Sequence, residues 1–188
     1  MKKPVYNILM VGVGGQGIIL ASDILTRAAM YAGYDAKKSE IHGMSQRGGS
    51  VFSHIRFGQK VHSPIISRGE ADILFSLEEM ETLRWLNYAH SESLVITLLT
   101  RINPAGVEQY PGGIQKELAD RCINLKFIDP QQLQGKIESN KFLNVALLGV
   151  LSGSVELPEE SWKRAIEEEV PKGSFEGNWK AFCTGKKY

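Results

Sequence analysis

The apolar positions of this chain alternate between two rhythms. Residues 5–11 form a short, nearly unbroken apolar run of the kind a strand buried on both faces requires. Beyond Gly17, Ala21, Ile24, Leu25, Ala28 and Ala32 recur at helical spacing. Ser22, Asp23, Thr26 and Arg27 fill the opposite face, and Gly33 supplies the stop. The alternation then continues, with strands predicted over 35–41, 50–57, 71–76, 94–99 and 124–128. Helices are predicted over 78–90, 114–121, 142–151 and 159–170.

Details of the pattern sharpen this reading. Residues 42–49 leave too little chain between the second and third strands for a crossover helix, so those strands are not a parallel βαβ pair and the sheet is predicted to be mixed. Residues 142–151 are apolar nearly all round, as in a helix buried on several sides. Trp162, Ile166 and Val170 form one stripe of the next helix, with Pro158 suited to its first turn. The closing stretch, 175–188, carries Trp179 and Phe182, which pack either on the body or on a partner. The expected fold is α/β: three α/β/α layers around a mixed, mostly parallel sheet, with a Rossmann-like start and a helical C-terminal part, residues 1–188 forming one domain.

Composition narrows the function classes. With 22 basic and 21 acidic side chains the formal charge is +1, which gives no global attraction for nucleic acid or an anionic membrane, so any anion site must be local. Cys122 and Cys183 lie far apart, without the close spacing of zinc or iron–sulfur ligands. Met1-Lys2-Lys3-Pro4 leads into an apolar stretch too short for a signal peptide or a spanning helix, and no other apolar run approaches that length. The expectation is a soluble, reduced, cytoplasmic chain.

Two glycine-rich segments carry the candidate chemistry. In Gly12-Val13-Gly14-Gly15-Gln16-Gly17, the residues Gly12, Gly14 and Gly17 match G-x-G-x-x-G between a strand and a helix. There, missing side chains let backbone N–H groups approach a phosphate at a helix N-terminus. The spacing also suits a purely structural tight turn. A dinucleotide site would need an acid ending the second strand, and Asp35 and Glu40 are poorly placed for it. The second segment presents His42, Ser45, Gln46 and Arg47 before Gly48-Gly49. Arg47 can grip a phosphate or carboxylate through paired hydrogen bonds, or tie to a nearby acid such as Glu40. His42 titrates near neutrality and suits acid–base work or a structural role. His54 and His62 lack the further ligands a metal needs, so none is assigned. No G-x-S-x-G is present, and no catalytic residue is assigned to this chain. Asn144, inside an apolar helix, must hydrogen-bond to something, whether a loop or a ligand.

Tyr6-Asn7-Ile8 running into GVGGQGIILAS, then SEIHGMSQRGGSVFSHIRFG and SPIISRGEADILFSLEEMETLR, with Asn144 to Gly149 and Asn178-x-x-Ala181-Phe182 beyond, resembles one family. It is the gamma subunit or domain family of the thiamine diphosphate-dependent 2-oxoacid:ferredoxin oxidoreductases, and within it the beta subunits of the indolepyruvate type. The resemblance spans essentially the whole chain. It implies a non-cluster subunit of a hetero-oligomeric enzyme acting on 2-oxoacids, with aryl pyruvates for the indolepyruvate type. A large catalytic partner would carry thiamine diphosphate, Mg and iron–sulfur clusters, with ferredoxin reached through the complex and coenzyme A as cosubstrate. It further implies an isolated chain that is inactive and able to pair as a homodimer. By the same resemblance, Gly12, Gly14, Gly15, Gln16, Gly17, His42, Ser45, Gln46, Arg47, Gly48, Gly49 and Asn144 are candidates to rim the active site and handle coenzyme or substrate. A stand-alone oxidoreductase binding NAD(P) or flavin, or a purely structural scaffold subunit, are the alternatives.

Overall fold

A computed structural model describes residues 5–42, 49–104, 106–133 and 135–188. Along the chain run β1 (Val5–Val13), α1 (Ile18–Tyr31), β2 (Asp35–His42), β3 (Ser50–Gly58), β4 (Ala71–Ser76), α2 (Glu79–Trp85), β5 (Ala89–Leu98), α3 (Ile114–Arg121) and β6 (Asn124–Ile128). A short α4 (Pro130–Leu133) precedes α5 (Leu143–Ser152), α6 (Glu159–Glu169) and α7 (Phe175–Gly185). The sheet order is β2-β3-β1-β4-β5-β6. Strands β1, β4, β5 and β6 are mutually parallel, whereas β3 runs antiparallel to both of its neighbours. The sheet is mixed, as the short segment between the second and third strands requires.

Strand alternation distributes the apolar side chains to two cores. Ile8, Met10, Ile73 and Phe75 face a layer containing α1, α5, α6 and α7. Leu9, Val11 and Leu74 face α2 and α3. In β1 both faces are buried, which is why its sequence reads as a continuous apolar run. The apolar α5 is enclosed as expected, all residues from Asn144 to Leu151 being buried. It meets α7 backbone to backbone: a Cβ on Gly149 would lie 2.1 Å from the Phe182 carbonyl oxygen, and one on Gly185 would lie 1.8 Å from that of Ala146. Glycine at both positions is a packing requirement.

Two expectations are corrected. The helix predicted over 78–90 stops at Trp85 and passes through a 3₁₀ turn, Leu86–Tyr88. Ala89 already pairs with Ala71, so β5 starts well before residue 94. Pairing with β4, which no local pattern announces, overrides the helical spacing there. The aromatic C-terminal stretch packs on the body: Phe182 is fully buried, and its ring lies between those of Trp162 and Trp179, at 5.2 and 5.4 Å. Among the described residues no helix is long and apolar enough to cross a membrane.

Candidate functional site

The first glycine segment turns from β1 into α1 and is held rigidly from inside. Gln16 folds back so that its Oε1 accepts the Val13 N–H at 2.8 Å, while its Nε2 donates to the Leu77 carbonyl at the end of β4 at 2.6 Å. This side chain, expected to face a ligand, is a bridge between two parallel strands. Gly12 leaves space for that bridge, since a Cβ there would lie 3.0 Å from Gln16 Oε1 and 2.9 Å from Ile18 Cγ1. Gly17 caps α1 in a left-handed conformation, φ 82°, and no side chain caps the helix in its place. Asn144 reaches across from α5, its Nδ2 donating to the Gly17 carbonyl at 3.1 Å. The asparagine therefore braces the glycine turn, while its Oδ1 is buried with no hydrogen-bond partner among the described residues.

The two glycine segments leave the same end of the sheet. Val13 pairs with Ser50 and His42 with Val51, and the Gly14 N–H donates to the Gly49 carbonyl at 2.9 Å. The backbone of His42 ends β2. Its side chain, and Ser45, Gln46, Arg47 and Gly48 altogether, lie outside the described residues.

Three buried carboxylates beside this end went unnoticed in the sequence. Glu78, Glu79 and Glu81, at 0%, 1% and 3% exposure, follow β4 directly and each holds a different piece of chain. Glu78 accepts from the Tyr110 hydroxyl, the Ile102 N–H and the Glu81 N–H. Glu79 accepts from Arg101 at 3.2 Å and Gln115 at 2.9 Å. Glu81 accepts from the Ser50 hydroxyl, from Trp85 Nε1 at 3.2 Å and from Arg84 at 3.0 Å. Ser50 is the first residue of β3, so Glu81 pins the exit of the second glycine segment. Burial, and then the bond to Glu78, push the Tyr110 phenol well above its ordinary value, so Tyr110 remains a donor at any working pH. The available signal was an acid at the N-cap and two in the first turn of a helix that follows a buried strand, a place where backbone donors and loop side chains seek acceptors.

Beside the glycine turn opens a cleft of about 470 Å³, walled by Gly15 and Gly17, by Leu77 and Thr100 beyond β4 and β5, and by Lys141 and Asn144 around the start of α5. Lys141 is a further residue the sequence reading missed; a lone lysine before an apolar helix carries no distinctive pattern. The cleft lies at the carboxyl ends of parallel strands, where α1 departs to one face of the sheet and α2 to the other. Open α/β sheets bind ligands at such switch points. His54 stands apart from it: buried, accepting the Ile66 N–H on Nδ1 at 3.2 Å, its imidazole is held below its ordinary pKa by burial. Burial raises both cysteine thiols, and among the described residues no three His, Cys, Asp or Glu side chains cluster to hold a metal.

A dinucleotide fold needs a parallel strand beside β1 whose end presents an acid to the ribose. Here the neighbour on that side is the antiparallel β3. Asp35 begins β2 at its far end, accepting from Lys37 and then from the Val61 N–H, which hold its carboxyl below the usual range.

A doubly wound open sheet with a glycine turn and a cleft at its switch point defines an open-sheet α/β protein. Comparison with known proteins places it more narrowly. Residues 7–188 match the family described as pyruvate ferredoxin/flavodoxin oxidoreductase, and the chain belongs to that family. The indolepyruvate oxidoreductase subunit IorB of Thermococcus kodakarensis is 38% identical, the alignment covering 97% of this chain and 95% of that one. The fold is shared with the gamma subunit of a keto/oxoacid ferredoxin oxidoreductase from Geobacter sulfurreducens, at TM-score 0.71 and 22% identity over 97% of this chain and 96% of that one. It is shared also with 31% of the 2-oxoglutarate:ferredoxin oxidoreductase chain of Magnetococcus marinus, at TM-score 0.73 and 18% identity, covering 99% of this chain.

Proposed function

We propose that this chain is the non-cluster subunit of a 2-oxoacid:ferredoxin oxidoreductase of the indolepyruvate type, in which its two glycine segments form part of the active-site rim and handle the anionic end of coenzyme A or substrate. The described residues offer no ligand set for an iron–sulfur cluster or for Mg at a diphosphate, so this reading assigns those groups and thiamine diphosphate to a large partner subunit. When bound there, thiamine diphosphate supplies the decarboxylation chemistry. This chain holds and orients. Backbone N–H groups at the start of α1 meet the anion, Arg47 adds charge, and Glu81 fixes the strand from which the second segment departs.

The observation that carries the reading is the bond from Gly14 N–H to the Gly49 carbonyl, which joins both glycine segments at one end of the sheet. The test is Arg47→Ala in the assembled enzyme. A raised KM for coenzyme A with intact assembly is expected. Unchanged kinetics with every substrate would overturn the rim role, and loss of assembly alone would mark a scaffold.

A further inference from the structure

We propose that the outer edge of β2 is a docking surface for a second copy of this chain, the two β2 strands pairing antiparallel about a two-fold axis at Ser39 so that two sheets become one. The inference goes beyond the rim reading above and stands independently of it. It starts from an open edge: β2 is the terminal strand of the sheet, and among the described residues no strand pairs with its outer side. Edge strands are commonly blunted by shortness, a proline or a bulge, because their unmet N–H and C=O groups template further pairing. β2 has eight residues and no proline, and its register against β3 runs unbroken from Asp35 to His42. Its remaining protection is charge, and that charge is self-complementary in one long register.

A two-fold axis that joins two copies of one edge strand stands perpendicular to the sheet and keeps every side chain on its own face, so the axis must pass through a residue. Two positions overlap nearly the whole strand. An axis at Lys38 pairs 35–41 but sets Lys38 against its own copy, and like charges directly opposite are destabilising. An axis at Ser39 pairs 36–42 and sets Lys38 of each chain against Glu40 of the other. Moving the axis to Lys37 or Glu40 opposes like charges again and shortens the overlap. Within its own chain Lys38 is bound to Glu40 and to Asp23 of α1, with its side chain 17% exposed, so the ammonium is held on the α1 face of β2. Pairing at Ser39 joins two such ion pairs into one network, the arrangement in which surface charges contribute measurably.

The opposite face supplies the apolar part. Ile41 is 46% exposed and in this register lies across from Lys37 of the second copy, whose methylene stem can cover it. The loop carrying Ile65, itself 50% exposed, lies over that same face. His54, the β3 partner of Ser39, accepts the Ile66 N–H, and Arg56, the β3 partner of Lys37, donates to the Ser63 carbonyl. Exposed isoleucines thus flank the axis on one face, and complementary charges on the other.

Sedimentation of the full 188-residue chain is expected to show a dimer. Lys38→Glu and Glu40→Lys each turn both central pairs into like charges, and each is expected to weaken dimerisation about tenfold or more. An equimolar mixture of the two variants is expected to dimerise at least as tightly as the native chain, since every charge then meets its opposite. That recovery separates lost pairing from lost folding. Cross-linking reads the register: with Cys122 and Cys183 replaced by serine, Ser39→Cys is expected to form a disulfide between copies under oxidised glutathione, its Cα atoms opposed at about 4.5–5.5 Å. Ile41→Cys, about 13 Å from its copy along the strands, is expected to form none. A native chain that stays monomeric, a dimer indifferent to both charge reversals, a mixture of folded variants that fails to recover, or cross-linking by Ile41→Cys in preference to Ser39→Cys overturns the proposal. So does a charge reversal that impairs binding of the large subunit while the chain alone is monomeric, which gives the edge to that subunit instead.

Discussion

Asn144 and Gly17 are 127 residues apart in sequence, yet the asparagine amide donates to the glycine carbonyl at 3.1 Å, and a Cβ on Gly17 would lie only 2.4 Å from that amide nitrogen. The glycine turn and the central helix are thus one unit. Gly17→Ala combines left-handed strain with this clash and is expected to cost about 2 kcal/mol or more. Asn144→Ala loses one hydrogen bond but also an orphan acceptor, so its cost is about 1 kcal/mol. The double variant relieves the clash, so urea denaturation should show it less destabilised than the sum of the singles. Strict additivity would show that the two residues are not coupled.

Glu81 is expected to hold the start of β3. Replacing it by leucine takes the acceptor from the half-buried Ser50 hydroxyl and leaves the Trp85 indole N–H only Ser50 Oγ, at 3.3 Å, at a total cost of about 1 kcal/mol or more. Glu81→Gln retains an acceptor and should recover much of that loss. In limited proteolysis, Glu81→Leu should expose residues 42–49 to cleavage faster than Glu81→Gln does. Equal cleavage of both variants would argue against the pin.

The α5–α7 crossing yields a test with its own control. Gly149→Ala and Gly185→Ala force the helices apart and are expected to destabilise by about 3 kcal/mol or more, beyond ordinary overpacking because both clashes are with backbone. Gly153→Ala, at a C-cap with φ −70° and nothing nearer than 3.7 Å, should change stability by less than about 0.5 kcal/mol. Thermal melts of the three variants decide it.

His54 predicts a pH dependence. Burial depresses its folded-state pKa below the ordinary 6.5, so between those values the unfolded chain binds more protons than the folded one. Its contribution is therefore fully present above pH 6.5 and is lost as the pH falls through the folded pKa, at about 1.4 kcal/mol per unit of depression. His54→Gln, which keeps an acceptor for the Ile66 N–H without titrating, should flatten the stability profile below pH 6.5. An unchanged slope would assign the acid sensitivity elsewhere.

The sheet and its first turn were legible because their signals are local. Strands β4 and β6 and helix α3 stand where periodicity predicts them, and the strand-glycine-helix order around Gly12 to Gly17 follows from turn chemistry. The site was legible only in part. Gly14 and Gly49 could be named as glycines but not as partners, and Gln16 was expected to face a ligand where it ties β1 to Leu77. Glu78, Glu79 and Glu81 went unread beyond the helix predicted over 78–90, because nothing near them in sequence says that Ser50, Tyr110 and Arg101 will arrive as donors.

By itself the sequence determined most of the inventory: the majority of the strands and helices, where the backbone turns without side chains, and that no excess charge exists for a polyanion. These follow from side-chain spacing and backbone stereochemistry over a few residues. Only the tertiary structure decided that β3 inserts antiparallel between β2 and β1, that an asparagine from the fifth helix braces the first turn, and that Lys141 lines the cleft beside that turn. Such contacts join residues distant along the chain, where packing and hydrogen-bond satisfaction choose the partners and leave no local pattern to read.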